Sequence, residues 1–538
     1  MQRTALTARR RERELDELAS EPVDLLVVGG GVTGAGVALD AAARGLSVAL
    51  VEARDLAWGT SRWSSKLAHG GLRYLATGDV GVARESARER HVLMTRTAPH
   101  LVRALPQVLP LTQGVGPRQG LTAGIGFGLG DLLRRDAGTS SDVLPAPRLA
   151  RPGEAARLVP AVAREHLHGA WVAHDGQLVD DARLVVALAR TAAGRGARIL
   201  TRVRATELHG DGATLQDTLT GAGLRVRARV VVNATGVWAG TVDPSVRLRP
   251  SRGTHVVVPA ARLGDPAGAL MVPVPGSASR FVFALPAQLG RVIIGLTDEE
   301  APGPVPDVPV PTRPEIDFLL ATVSRVLDRP LLPDDVVGAF AGLRPLVDSA
   351  GPGDGPGLGS SDVSRRHLVA VSSATGAVNV LGGKLTTYRT MAEDAVDLAV
   401  KHAGLTAGPC WTADLPLVGA PPRAVPPADA LARAGARATQ VAAPPLAPAL
   451  VARYGAEAPD VLAAAALPGA SDVVGQGIPG TGHLDVTRAE IEWAVTHEGA
   501  LDADDVLDRR TRIGLVPADR AAVGDVVGEL VEDALKRL

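Results

Sequence analysis

A single cysteine, Cys410, stands among 538 residues. That scarcity excludes an intramolecular disulfide, a redox-active dithiol and a cysteine-ligated iron–sulfur centre. Any redox chemistry must come from a bound cofactor. Aromatic residues are only 3% of the chain. This reads as coding bias more than physical demand, and it blurs propensity arguments. An excess of one charge is also lacking: 57 Lys and Arg face 58 Asp and Glu. Nothing in that balance recommends a nucleic acid as partner. No apolar run reaches the roughly 18 residues that a membrane-spanning helix needs. The opening TALTARRRERELDELAS lacks the apolar centre of a secretory signal, so residues 1–21 read as a solvated leader helix and the expected location is the cytoplasm. The 12 histidines are scattered, without the His/Cys/Asp spacing of a metal site, and no metal is expected.

With 46% hydrophobic content the chain can bury a large core, and its length predicts two or three domains. Its most informative stretch is residues 24–52, DLLVVGGGVTGAGVALDAAARGLSVALVE. Residues 24–28 form an apolar run of strand type, residues 37–44 an alanine-rich helix ended by Gly45, and residues 47–51 a second strand closing on Glu52. Gly29, Gly31 and Gly34 fall at G-x-G-x-x-G spacing. Gly29 permits the tight turn, Gly31 lets a pyrophosphate approach the backbone, and Gly34, helped by Gly36, lets the helix pack close to the sheet. The helix N-terminus offers free N–H groups and a partial positive charge to the phosphates. Glu52 stands where a carboxylate can hold ribose hydroxyls. The bland alternative is a glycine-rich turn in an ordinary βαβ unit; the flanking strand, helix and acid favour a dinucleotide site.

Further along, residues 82–101 read as a charged helix and 107–111 as a strand. Residues 119–135 (QGLTAGIGFGLGDLLRR) are apolar and glycine-rich with two arginines at the end. They fit a loop and helix covering the core, or a surface that dips into a bilayer interface. Residues 179–192 form a helix opened by Asp180 and Asp181. Residues 255–259, 280–285 and 291–295 read as antiparallel strands. Residues 302–314 are a proline-rich loop, 314–327 a helix, and 336–345 lead back to glycine-rich turns. Residues 416–448 have a linker's Pro and Ala content, and 449–538 read as helices only.

The stretch GGGVTGAGVALDAAARGLSVALVEARDLAWGTSRWSSKLAHGGLRYL resembles the opening of the FAD-dependent glycerol-3-phosphate dehydrogenases, within the wider class that includes D-amino-acid and glycine oxidases. VDDARLV at 179–185, NATGVW at 233–238, GLRPLVD at 342–348, GGKLTTYR at 382–389 and the later HEGALDADDVLDRRTRIGL follow in the family's order. Trp58-Gly59 and Arg62-Trp63 replace smaller residues, and Gly295-Leu296-Thr297-Asp298 replaces a more usual Gly-Thr-Thr-Asp. These departures leave fine substrate preference open.

The resemblance implies a doubly wound α/β FAD-binding domain (22–100, 171–240, 336–405) interleaved with an antiparallel substrate domain (101–170, 241–335). An all-α C-terminal domain follows over 406–538. It also implies oxidation of sn-glycerol 3-phosphate to dihydroxyacetone phosphate, with a hydride leaving towards flavin N5 and electrons passing to a membrane quinone. Such an acceptor implies peripheral attachment to the inner face of the cell membrane. Two alternatives stay open: an oxidase releasing hydrogen peroxide, and a flavoprotein without turnover. A homodimer is the oligomer entertained.

For FAD, the family match adds Thr60, Ser61, Ser64, Ser65, His69, Ala205, Thr235, Gly236, Gly383, Leu385 and Thr386 to Gly29, Gly31, Gly34 and Glu52. The helix after Gly383 can stabilise the anionic reduced ring through its N-terminus. For the substrate phosphate it brings Arg73, Tyr74, His255, Arg344, Arg365 and Lys384, with Arg366 as the alternative to Arg365. Arginine suits a phosphate because its fork binds two oxygens. The proton acceptor is His255 or a Lys384 of depressed pKa; Arg344 stays protonated and is a poor base.

Overall fold

The computed structural model describes residues 2–71, 74, 78–113, 115–277, 280–347, 366–422, 427–439 and 446–538, without the side chains of 117 and 118. Two sheets organise them. In the first, parallel strands Arg198–Thr201, Val48–Glu52, Val23–Val28, Gly223–Asn233 and Val378–Gly382 lie side by side, with His367–Val371 antiparallel at the edge. Val23–Val28 is the central strand and is buried almost throughout, as a parallel strand covered on both faces must be. Helices Val32–Ala43, Asp181–Gly194 and Tyr388–Ala403 supply the main core on one face. Strands Val203–His209 and Gly212–Asp217, with the leader helix, cover the other.

That leader helix, Ala8–Ser20, departs from the solvated reading. Leu18, Arg11 and Glu14 are buried, and Arg11 donates to the Thr201 carbonyl at 2.7 Å and pairs with Asp217. Arg9, Glu12, Arg13 and Asp16 do form a solvated face, while Arg11 on the inner face satisfies the strand end that the helix covers.

The second sheet is mostly antiparallel. The long strand Leu248–Pro259 pairs with Arg291–Gly295 on one side and with Gly338–Val347 on the other. Phe281–Ala287, Ala269–Pro273, Val102–Pro110, Ala170–Leu178 and Leu67–Ala68 extend it. Helices Pro117–Asp136 and Arg313–Ser324 pack beneath it. Two segments that the sequence assigns to the FAD side, 338–347 and 171–178, are therefore in strands of this sheet. Gly338 and Gly342 had read as turn residues. Both instead give room to close neighbours: a Cβ on Gly342 would stand 2.7 Å from that of Trp63, and one on Gly338 would stand 2.2 Å from the Leu515 carbonyl oxygen.

The helix expected at 82–101 runs over Val80–Val92 and continues as a π turn, Leu93–Thr97. Residues 416–448, read as linker, contain the helix Pro427–Thr439. The last ninety residues form helices, with an irregular stretch over 464–487, and have their own core built on Ile491, Val495, Val523 and Val527.

Candidate active site

One cavity of about 640 Å³ runs from the glycine turn of the first sheet to the facing strands of the second. At the turn, Gly34 sits so close to Gly29 that a Cβ on it would lie 1.9 Å from the Gly29 carbonyl oxygen. That approach brings the start of helix Val32–Ala43 onto the strand end, where Gly31 is its N-cap and no side chain caps it. The helix dipole and the first-turn N–H groups beyond that of Val32 are left for an anion. Ser61 Oγ accepts from Val32 N at 2.9 Å and keeps its own hydrogen to donate. Glu52 closes the next strand and accepts from Gly30 N at 2.6 Å and Arg54 N at 2.8 Å. Burial raises its pKa against those two N–H groups.

Gly29, Gly31, Glu52, Thr60, Ser61, Ser64, Ser65, His69, Ala205, Thr235, Gly236, Gly383, Leu385 and Thr386 all line this cavity. Gly34 stands behind it as the packing glycine. Some hydroxyls are committed elsewhere: Thr60 donates to the Leu343 carbonyl at 2.6 Å, Ser64 to Asp181 at 2.7 Å and Thr235 to Asn233 at 2.7 Å. These three shape the wall more than they offer donors to it.

At the other end, strand pairing builds the polar group. His255 stands opposite Phe340, Gly253 opposite Gly342, and Ser251 opposite Arg344. Steps of two along paired strands put all six on one face. The central pair is glycine, and Arg344 folds over the space: a Cβ on Gly253 would lie 2.4 Å from Arg344 Nη2. Arg344 donates to Ser251 Oγ and Asp298 Oδ1 at 3.1 Å each, and to the Thr297 carbonyl at 3.0 Å. The fork is thereby fixed at the cavity wall.

His255 is buried, stacked on Phe340 at 4.7 Å between ring centroids. Its Nε2 meets Ser65 Oγ at 2.9 Å, and its Nδ1 has no hydrogen-bond partner among the described residues. Burial, and then the Lys66 and Arg344 cations, hold its pKa down at about 3, so the free imidazole is neutral. Lys384 Nζ donates to Ser86 Oγ at 3.0 Å and lies 3.6 Å from the Tyr74 ring centroid, a cation held in place at the same cavity. Arg73 and Arg365 lie outside the described residues. Arg366, the alternative to Arg365, pairs at the surface with Asp79 at 3.0 Å and does not line the cavity.

Several contributors carry no sequence signal. Arg280 adds a cation to the wall, Gln107 and Asp175 add polar groups, and Phe127 and Ala123 bring one face of helix Pro117–Asp136 to it. An isolated Arg or Phe has no motif; only sheet pairing and the packing of that helix bring these residues here. Lys66 and Asp181 stand within sequence motifs, but their 3.2 Å ion pair behind Ser65 joins residues 115 apart, which no motif shows.

Comparison with known proteins agrees with this geometry. The family model for FAD-dependent oxidoreductases matches residues 24–389, and the model for the C-terminal domain of alpha-glycerophosphate oxidase matches 410–537. The first match and the doubly wound sheet define the class as FAD-dependent oxidoreductase. Glycerol-3-phosphate dehydrogenase 1 of Mycobacterium tuberculosis is 53% identical over 529 residues, covering 98% of each chain. Glycerol-3-phosphate dehydrogenase of Mycobacterium leprae is 39% identical over 98% of this chain and 88% of its own. The chain belongs to the FAD-dependent glycerol-3-phosphate dehydrogenases. Among solved structures, that of the Bacillus halodurans glycerol-3-phosphate dehydrogenase complexed with FAD aligns with a TM-score of 0.72 at 26% identity, over 99% of this chain and 96% of that one. L-alpha-glycerophosphate oxidase from Mycoplasma pneumoniae shares the fold, with a TM-score of 0.53 over 74% of this chain and 99% of that one.

The residues present fit FAD. An uncapped helix N-terminus serves a diphosphate, Glu52 stands one strand away for a ribose, and the cavity continues from there to the cationic end.

Proposed function

We propose that this enzyme oxidises sn-glycerol 3-phosphate to dihydroxyacetone phosphate and delivers the electrons to a membrane quinone. The observation that carries the substrate class is the Arg344 fork, fixed by Thr297, Ser251 and Asp298 in the same cavity as Lys384 and His255. Bound FAD supplies the hydride acceptor. The chain's own residues do the rest. Arg344 and Lys384 hold the phosphate dianion, which fixes carbon 2 relative to the cavity wall. His255 accepts the proton of the carbon-2 hydroxyl, directly or through Ser65 Oγ. A dianion beside Arg344 offsets one of the cations that depress His255, so substrate binding raises the base's proton affinity. His255 is favoured over Lys384 because Lys384 is already held as a cation against Ser86 and Tyr74.

The quinone reading rests on helix Pro117–Asp136. Leu121, Ile125, Leu129 and Leu132 are exposed, and their spacing of four, four and three puts them on one face. The opposite face, through Ala123 and Phe127, lines the cavity. No helix among the described residues is long and apolar enough to cross a membrane. We read the stripe as a peripheral contact with the membrane's inner face, next to the cavity that the acceptor must reach.

The test is product formation with the purified FAD-loaded protein. Dihydroxyacetone phosphate formed in step with reduction of a quinone analogue, without peroxide in air, is the expected result. Stoichiometric peroxide in air would replace quinone with oxygen as acceptor.

A further inference from the structure

The segment that carries Ser65 is held from behind by the C-terminal region. Between Glu52 and Lys66 the chain follows the cavity wall without regular strand or long helix. Such a segment is placed by what it packs on. Here several of its partners come from residues 508–512, between and within the turns Val506–Arg510 and Ile513–Leu515, more than four hundred positions away.

Arg512 is the hub. It is 1% exposed. Its Nη2 donates to the Arg62 carbonyl at 2.6 Å, and its Nε stands 3.1 Å from Asp180 Oδ2. Its guanidinium lies 5.4 Å from the Trp63 ring centroid. Its own carbonyl accepts from Arg291 Nη1 at 2.7 Å, on the strand beside that of His255. The backbone at Arg512 has φ +66°, a left-handed conformation that is unfavourable for a residue with a side chain. Contacts on every side offset that cost.

From Arg512 two short paths lead to the base. Asp180 is followed by Asp181, which accepts from Ser64 N at 2.9 Å and Ser64 Oγ at 2.7 Å and pairs with Lys66 at 3.2 Å. Ser64 and Lys66 bracket Ser65, whose hydroxyl meets His255. On the other path, Trp63 stacks on Phe340 at 5.5 Å and Phe340 on His255 at 4.7 Å.

We propose that Arg512 is a positioning residue: by gripping Asp180 and the Arg62 carbonyl, it fixes segment 62–66 so that Ser65 and Phe340 hold His255 in its working orientation. The C-terminal region is then a structural part of the active site, although among its described residues no side chain lines the cavity. The proposal rests on the reading of His255 as the base.

The test uses the full chain loaded with FAD, and the rate of anaerobic flavin bleaching by sn-glycerol 3-phosphate. Arg512→Gln should keep its FAD and lower the limiting rate by about tenfold or more, with the half-saturating substrate concentration changed less than about threefold. Arg512→Lys should recover part of the rate. Asp180→Asn keeps the Arg183 N–H cap yet loses the charge partner, so it should slow the step too, and less than additively with Arg512→Gln. In a His255→Gln background, Arg512→Gln should add little. A wild-type rate in Arg512→Gln, loss of FAD from it, or full additivity with His255→Gln would each overturn the proposal. Should Arg512→Gln fail to fold, wild-type rates in both Arg512→Lys and Asp180→Asn would overturn it, and slowed rates with FAD retained would support it. A wild-type rate in His255→Gln alone would refute the base assignment instead, a result separable from any effect at Arg512.

Discussion

Ser65 Oγ lies 2.9 Å from His255 Nε2, and this contact joins the FAD-side segment to the substrate-side sheet. The serine belongs to a loop after the second strand of the dinucleotide unit; the histidine belongs to a strand nearly two hundred positions later. The imidazole is neutral and buried there. His255→Gln should therefore lower the limiting rate of flavin reduction by about 10²–10⁴, the range of a lost general base, while FAD stays bound. Anaerobic stopped-flow absorbance measures this directly.

The same burial makes a prediction about acid. The pKa of His255 is lowered from 6.5 to about 3 on folding, so between those values the unfolded chain binds the extra proton. Its contribution to stability is complete above about 6.5 and is lost as the pH falls towards 3. His100 and His497, lowered to about 3 and about 4, act in the same direction. Denaturant midpoints should drop as pH is lowered from 7 to 4, and less steeply for His255→Gln than for the wild type. Equal slopes would show that the histidine is not buried neutral.

Arg344→Ala should raise the half-saturating substrate concentration by about tenfold to a hundredfold, the worth of a charge-assisted hydrogen-bonded contact. It should leave FAD in place, because Arg344 is anchored by Thr297, Ser251 and Asp298 of the substrate sheet and its neighbouring loop. Loss of FAD would show that Arg344 supports the cofactor.

Asp55 is fully buried and accepts from Arg509 at 2.5 Å and Arg510 at 2.8 Å. Asp55→Ala leaves two buried guanidinium groups short of a carboxylate. Removing one partner of a buried ion pair costs about 3–5 kcal/mol, and the variant should melt well below the wild type. A melting point unchanged by Asp55→Ala would mean that the C-terminal region docks by other contacts.

Much of this was legible in the sequence where the signal is local. The glycine turn, the strand ends that flank it, and the motifs around Ser65 and Lys384 are short runs whose residue types imply their backbone. Long-range placement was not legible. Arg11 reads as one charge among many in a leader helix, yet it is buried against Asp217, 206 positions away. Gly338–Val347 reads as glycine-rich turns, but its glycines lie in a strand where neighbouring chain comes close. The apolar residues of 119–135 allow both of the readings given, because one helix carries apolar residues on both faces, with Phe127 inward and Ile125 outward.

Replacing Leu121, Ile125, Leu129 and Leu132 together with serine removes the exposed stripe without touching the cavity face. Vesicle binding should fall by about tenfold or more, as interfacial affinity scales with buried apolar area, while bleaching by substrate in solution is unchanged. Vesicle binding equal to the wild type would locate the membrane contact elsewhere.

Whether one cavity both holds FAD and oxidises sn-glycerol 3-phosphate against it is decided by the anaerobic absorbance of the purified protein at the flavin band, before and after adding sn-glycerol 3-phosphate, with glycerol and D-amino acids as controls. Bleaching by sn-glycerol 3-phosphate alone is the predicted result. A flavin band that sn-glycerol 3-phosphate leaves intact would contradict the substrate assignment while leaving the fold and the cofactor in place.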